Sequence, residues 1–330
     1  MNPVLPESIR DSFTSRTRFH PILMHFAARF AGRTYSEFAT DHRVLVESNV
    51  RCLERFGHDA VSVISDPWRE ASAFGATVSF PEDAVPLCTE HIVRTIDDAR
   101  SLPSPDVYTA VRTRDRIEGV AYYRRLIGDR VPVIGWIEGP LAEACDLAGV
   151  SEMLFALAAE PDFPRILMER CLPVAKAFAK AQIEAGSDIM GVGDAICSQI
   201  SPAMYGEYVL PLHRELFDYI HSLGVPVKLH ICGNITRHLP LVAASGADII
   251  DIDWMVDMDG AFESTGGTSI LCGNLDPVAA VQDMKTAALE KLSRDFVERY
   301  AGNPFIFSAG CEITVGTAHE NLAAMRNACR

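Results

Sequence analysis

Short runs rich in Val and Ile recur along the chain, each closing on a polar residue and usually followed by a stretch with helical periodicity. The runs are 19–24 (FHPILM), 60–66 (AVSVISD), 131–138 (VPVIGWIE), 187–194 (SDIMGVGD), 225–232 (VPVKLHIC), 247–253 (ADIIDID), 269–274 (SILCGN) and 304–311 (PFIFSAGC). A run that is apolar almost throughout, without a polar residue at every second position, fits a strand buried on both faces, and strand followed by helix is the βα signature. Helical patterns fall at 151–160, at 161–185 with a proline near the middle, at 202–222 and at 277–300. Eight strands with helical crossovers predict an α/β fold, a (β/α)8 TIM barrel, with residues 1–330 forming one domain and a helical extension at the N-terminus. A doubly wound sheet is the rival, but after Gly191-Val-Gly193 the third glycine of a dinucleotide fingerprint is replaced by Ile196. The connection 67–130, with a helical stretch at 114–128, is too long for a plain βα loop and is expected to form an insertion that covers the barrel mouth.

Composition narrows the function without changing the fold. Of 330 residues, 48% are hydrophobic and 22% charged, a globular balance that rules out disorder for most of the chain. Thirty basic against 44 acidic residues leave a formal charge of −14, which repels phosphate backbones and argues against a nucleic-acid partner. No apolar stretch approaches the roughly 18 residues that span a bilayer. The start, MNPVLPESIRDSF, is polar, so a cytoplasmic location is expected and the nine cysteines are read as reduced thiols or metal ligands.

Active sites of such barrels gather at the C-terminal ends of the strands. Here those ends read His25, Asp66, Glu138, Asp194, His230 with Cys232, Asp253, Asn274 and Cys311. In His230-Ile-Cys232 the alternation of a strand sends both polar side chains inward and Ile231 outward. Cys311, at another strand end, is able to add a third ligand. One imidazole and two thiolates suit tetrahedral zinc with a fourth position open to substrate. Cys52, Cys88, Cys145, Cys171, Cys197 and Cys329 are read as small buried hydrophobes. Cys272, which shares a strand face with Asn274, is the most plausible competing ligand. Asp253, 21 residues beyond Cys232, is a candidate weak fourth ligand or a partner that orients His230, with a turn cap as the plain alternative. Asp194, Glu138 and Asp66 are candidates for acid/base or ligand-orienting roles, against helix capping for Asp194 and a strand-to-loop turn for Asp66. The run DIDWMVDMDG fails as a calcium loop, having no glycine at the sixth position and no glutamate at the twelfth from any starting aspartate. His58, His91, His213, His221, His238 and His319 fall on helical or loop patterns and read as surface or packing residues.

At these residues the sequence resembles the uroporphyrinogen decarboxylase superfamily, and within it the zinc-dependent methylcobamide:thiol methyltransferases. The resemblance runs over nearly the whole chain and is strongest in GVGDAICSQISPAMYGEYVLP (191–211), VKLHICGNI (227–235), SGADIIDIDWMVD (245–257), LCGNLDP (271–277) and FSAGCEITVGTAHENLAAM (307–325). It implies a TIM barrel, zinc on His230, Cys232 and Cys311, and catalytic roles among Asp66, Glu138, Asp194 and Asp253. It also implies cofactor contacts at Ser201, Asn234 and Asn274, a methylated corrinoid or corrinoid protein as methyl donor, a small thiol as acceptor, and allows a homodimer. The decarboxylase branch fits less well. Its MRQAGR segment aligns with Met24-His25-Phe26-Ala27-Ala28-Arg29, keeping one arginine; its catalytic aspartate resembles Asp66, but GPLAEACDLAG lacks its tyrosine. Two other readings stay open: a folate-dependent, methionine-synthase-like transferase, and a corrinoid- or porphyrin-binding protein with a closed structural zinc.

Overall fold

Eight of the strands in the computed structural model, which describes residues 16–330, form one curled parallel sheet with helices on its outer face. They are β1 (Arg18–Phe19), β2 (Val61–Ser62), β5 (Val133–Glu138), β6 (Ile189–Gly193), β7 (Val227–Ile231), β8 (Ile249–Ile252), β9 (Ile270–Leu275) and β10 (Phe305–Ala309). Their order is β1-β10-β9-β8-β7-β6-β5-β2, so each strand from β5 onward pairs with its predecessor among the eight, as successive right-handed βα units require. Every residue of β5 to β10 is buried, which explains why these strands read as unbroken apolar runs.

The two edge strands, β1 and β2, are spliced by a side chain. Asp59, just before β2, donates its N–H to the Phe19 carbonyl and accepts the Phe19 N–H on its carboxylate, each at 2.8 Å. Arg326 (3.0 Å) and Arg16 (2.5 Å) neutralise that carboxylate. The apolar run 19–24 is therefore mostly not strand. Beyond Phe19 it follows the C-terminal end of β10 through a single bridge of Ile22 to Glu312, and His25 opens the helix His25–Phe30. The extension expected ahead of the first strand falls largely outside the described residues.

The insertion divides into two parts. Strands β3 (Thr77–Ser79) and β4 (Leu87–Glu90) form an antiparallel hairpin. Its tip lies on the helices that follow β1, where the Ser36 N–H donates to the Glu82 carbonyl (3.1 Å) and Asp83 pairs with His25 (2.9 Å) and with Arg29; Arg112, from the helix Val111–Ile127, also reaches it, with its guanidinium 4.9 Å from the Phe80 ring centre. The expected helix at 114–128 spans Val111–Ile127 and packs against His42–Phe56 in the outer ring. The hairpin thus lies at the mouth, and the helix reaches that end through Arg112 at its start. The helices Val150–Ala159 and Asp162–Glu184, the latter with Pro173 inside, match their sequence patterns. The pattern at 202–222 is interrupted by a π-helical turn at Tyr205–Val209, ahead of Pro211, which has no N–H for a regular helical bond. Among the described residues no helix is long and apolar enough to cross a membrane.

Candidate metal centre

Strand alternation on β7 turns Lys228 and His230 toward the barrel axis, with Cys232 one step beyond the strand end and the fully buried Ile231 facing the helices. Cys311 comes from just past β10. Its approach depends on Gly310, where an added Cβ would collide with the backbone nitrogen of Trp254 in the loop after β8. The three ligand atoms form a triangle: His230 Nε2 to Cys232 Sγ 3.0 Å, Cys232 Sγ to Cys311 Sγ 3.7 Å, and Cys311 Sγ to His230 Nε2 3.9 Å. Two sulfurs each about 2.3 Å from one tetrahedral zinc lie about 3.8 Å apart, so the donors stand at metal-binding spacing. Hydrogen bonding from Cys232 and the neighbouring imidazole pull the Cys311 thiol down to about 4 against the opposing effect of burial, while the same shared hydrogen and burial push Cys232 up. Cys311 is thus ready to act as a thiolate ligand, whereas Cys232 gives up its proton only in exchange for a cation.

The carboxylate that faces the other ring nitrogen of His230 is Asp251, 3.5 Å from Nδ1 and paired in register with His230 across β7 and β8. Its second partner is Lys228, at 2.9 Å, and both are almost fully buried. Burial works against the charge of Asp251, but Lys228 and His230 outweigh it and hold the carboxyl well below the usual range. A carboxylate on Nδ1 leaves Nε2 as the donor toward the metal. Neither Lys228 nor Asp251 was read from the chain, although both were legible as polar residues at inward positions of otherwise apolar strands. Cys272, the competing ligand in sequence terms, is opposite Asp251 in register and fully buried in the layer below the triangle.

Of the other predicted residues, Asp253 and Asn274 brace the loops beside the triangle, and the rest make their bonds elsewhere. Asp253 accepts the Gly233 N–H at 2.8 Å and the Met255 N–H at 3.3 Å, so it clamps the turn that follows Cys232 while Asp251 takes the place beside His230. Asn274 donates to the carbonyls of Asp253 (3.1 Å) and Val256 (2.7 Å), tying down the same loop. Asn234 is exposed at the rim, where its side chain accepts from Thr236. Ser201, also exposed, caps the helical turn Pro202–Met204. Asp194 is wholly buried and accepts from the N–H groups of Leu141 and Ala142, capping the helix after the neighbouring strand; it also meets His213 at 2.9 Å, and His213 meets Tyr205 at 3.0 Å. Asp66 takes two bonds from Arg112 (2.6 and 3.3 Å), one from Ser65 (2.6 Å) and one from the Trp68 N–H (3.1 Å). Burial opposes its charge, but Arg112 and Arg69 lower its pKa overall. Glu138 is bonded to Arg69 at 2.6 Å, yet burial pushes it up to about 8. Of the six cysteines read as buried, Cys88 is half-exposed on the hairpin.

The sequence model of uroporphyrinogen decarboxylase (URO-D) matches residues 13–330. The chain belongs to this family. Members of two activities are similar to it to about the same degree. A uroporphyrinogen decarboxylase of Carboxydothermus hydrogenoformans is 29% identical over 298 residues, covering 87% of this chain and 83% of that protein. The methylcobamide:CoM methyltransferase MtbA of Methanosarcina mazei is 30% identical over 274 residues, covering 82% and 78%. In three dimensions a methyltransferase from Methanosarcina mazei superposes with a TM-score of 0.88 over 97% of this chain and 96% of the other, at 19% identity, and so establishes the URO-D barrel fold. The family is one of enzymes, and its methyltransferase members are among the relatives of this chain.

Proposed function

We propose that this URO-D family member is a zinc-dependent methyltransferase that moves a methyl group from a methylated corrinoid, free or on a partner protein, to a small thiol. The observation that carries this reading is the triangle of His230, Cys232 and Cys311, which has the donor types and the spacing of a three-ligand zinc site. Zinc held there supplies a charge that keeps a substrate sulfur deprotonated at neutral pH. Asp251, itself paired with Lys228, sets a negative charge 3.5 Å from His230 Nδ1, Asp253 fixes the turn carrying Cys232, and Gly310 allows the approach of Cys311. Against decarboxylation of a porphyrinogen stands Asp66, whose side chain is fully buried and spent on Arg112, Ser65 and the backbone of Trp68.

The test is metal analysis followed by demethylation of methylcobalamin against a panel of thiols. We expect about one zinc per chain, thiol-dependent methyl loss, and release of close to one proton per site when a thiol of pKa above about 8 binds at neutral pH. A metal-free protein that consumes uroporphyrinogen and leaves methylcobalamin untouched would refute the proposal.

A further inference from the structure

Beside the metal triangle, between β5 and the helices Trp68–Phe74 and Pro140–Ala148, four carboxyl side chains are buried around one guanidinium. Glu70, Glu138, Glu143 and Asp146 are 2%, 7%, 3% and 8% exposed, and Arg69 is 0% exposed. Arg69 bonds Glu138 at 2.6 Å and lies 3.5 Å from Glu70, whose other oxygen accepts the Glu138 N–H at 2.8 Å. Neither oxygen of Glu143 has a hydrogen-bond partner, nor does one oxygen each of Glu70 and Asp146. The other acids nearby have their own partners, Asp66 being bonded to Arg112 and Asp194 to His213 and two helix N–H groups. Cys145 and Cys171, on the helices packed there, are neutral thiols raised by burial.

Four carboxylates against one guanidinium would bury three uncompensated negative charges, which a protein interior does not tolerate. The carboxyl oxygens do not converge as a metal cage does: the clusters with ligand atoms close enough to share an ion lie elsewhere among the described residues. Protons resolve the charge imbalance, because a neutral carboxyl carries no charge to bury and its O–H adds a donor to a group that otherwise only accepts. Burial accordingly raises Glu70, Glu143 and Asp146, and Glu138 to about 8.

The chain of acids has two ends. Glu138 is level with His230 in the sheet, separated from it by Gly193 on β6. The oxygen that does not bond Arg69 lies over that glycine, 3.3 Å from where a Cβ would stand, on the strand between those of Glu138 and His230. Glu143 and Asp146 follow on one face of the next helix, and the backbone carbonyl of Asp146 meets His91 at 3.0 Å, which places this turn of the helix next to the residue that lines an open surface cavity of 460 Å³. We infer that Glu138, Glu70, Glu143 and Asp146 form a buried proton chain that accepts the acceptor thiol's proton at the mouth and releases one near His91. The inference rests on the methyl-transfer reading for the direction of flow. In the step, the S–H bond breaks and an O–H bond forms on the carboxylate that Arg69 stabilises between Glu138 and Glu70. The electron pair stays on sulfur, and successive O–H protons shift along Glu143 and Asp146 until one passes to water.

Glu143→Gln and Asp146→Asn test this, since an amide matches a neutral carboxyl in shape and cannot relay a proton. Infrared spectra of the resting full-length protein at neutral pH should contain protonated-carboxyl bands that weaken in each variant; this arm uses no thiol and stands whatever the reaction proves to be. Glu143→Gln should also unfold no more easily than the parent and lose less stability as pH rises from 5 to 8, because acids with raised pKa bind protons in the folded state that the unfolded state has released. In the zinc-loaded protein, stopped-flow dye measurements with a simple alkanethiol should show proton release slowed about 100-fold in Glu143→Gln with zinc content unchanged. Absence of carboxyl bands, or a non-zinc ion bound by the parent and lost in Glu143→Gln, would overturn the buried protons. Bands present with proton release unaltered in both variants would overturn the relay and leave the methyl-transfer reading standing.

Discussion

At the scale of single residues, each ligand of the triangle makes its own prediction. Replacing Cys232 or Cys311 by alanine should remove most of the zinc while far-ultraviolet circular dichroism stays that of the parent, because a barrel of this size has a core that does not depend on a metal. Full metal retention in both variants would refute the assignment. Asp251→Asn keeps the shape beside His230 but removes the charge shared by Nδ1 and Lys228, and it leaves the Lys228 ammonium buried without its partner. Zinc affinity, measured by competition with a chelator, should fall about 10- to 100-fold. Asp253→Asn, which still offers an oxygen to the Gly233 N–H, should change affinity far less. Equal losses in the two variants would show that the carboxylate contact with Nδ1 has no special role.

Strands and loops carry the next level of argument. The ligands arrive from the ends of β7 and β10, which are not neighbours in the sheet, so their spacing depends on loops packed closely enough to bring the two ends together. Gly310 is where the packing is tightest. Gly310→Ala forces its methyl group into the Trp254 backbone and should displace Cys311, costing about 1–3 kcal/mol of stability and lowering zinc content together. Denaturant unfolding and metal analysis of one preparation check both. An unchanged zinc content would mean that the loop after β8 yields without moving the ligand. The hairpin β3–β4 and the helix Val111–Ile127 show that one long connection need not have one job: its polar tip meets His25 and Arg29 at the mouth, while the helix is bound into the outer ring.

For the molecule as a whole, closure of the barrel is the weak seam. Backbone ladders join the other neighbouring strands, whereas β1 and β2 are held through Asp59. Asp59→Ala removes the acceptor of the Phe19 N–H and strands the nearly buried Arg326 without its partner, and should cost about 3–5 kcal/mol. Hydrogen exchange should quicken first at β1 and β2, and uniform exchange across the sheet would argue against a local seam.

The apolar runs that encode β5 to β10 were legible because strands buried on both faces leave an unbroken signature, and alternation along 228, 230 and 232 was enough to place His230 and Cys232 on one side. Cys311 was legible as a strand end and through its resemblance to family motifs. Runs 19–24 and 60–66 carried the same apolar signal but became two-residue strands, because hydrophobicity reports burial and not hydrogen-bond pairing. What the sequence could not state is which side chains face one another across strands. That Asp251 rather than Asp253 meets His230, that Asp194 caps the helix of a neighbouring strand, that Asp59 splices the barrel, and that four acids gather around Arg69 all follow from register and helix packing. Those relations join residues up to 267 positions apart, and only the folded chain brings their side chains within reach of one another.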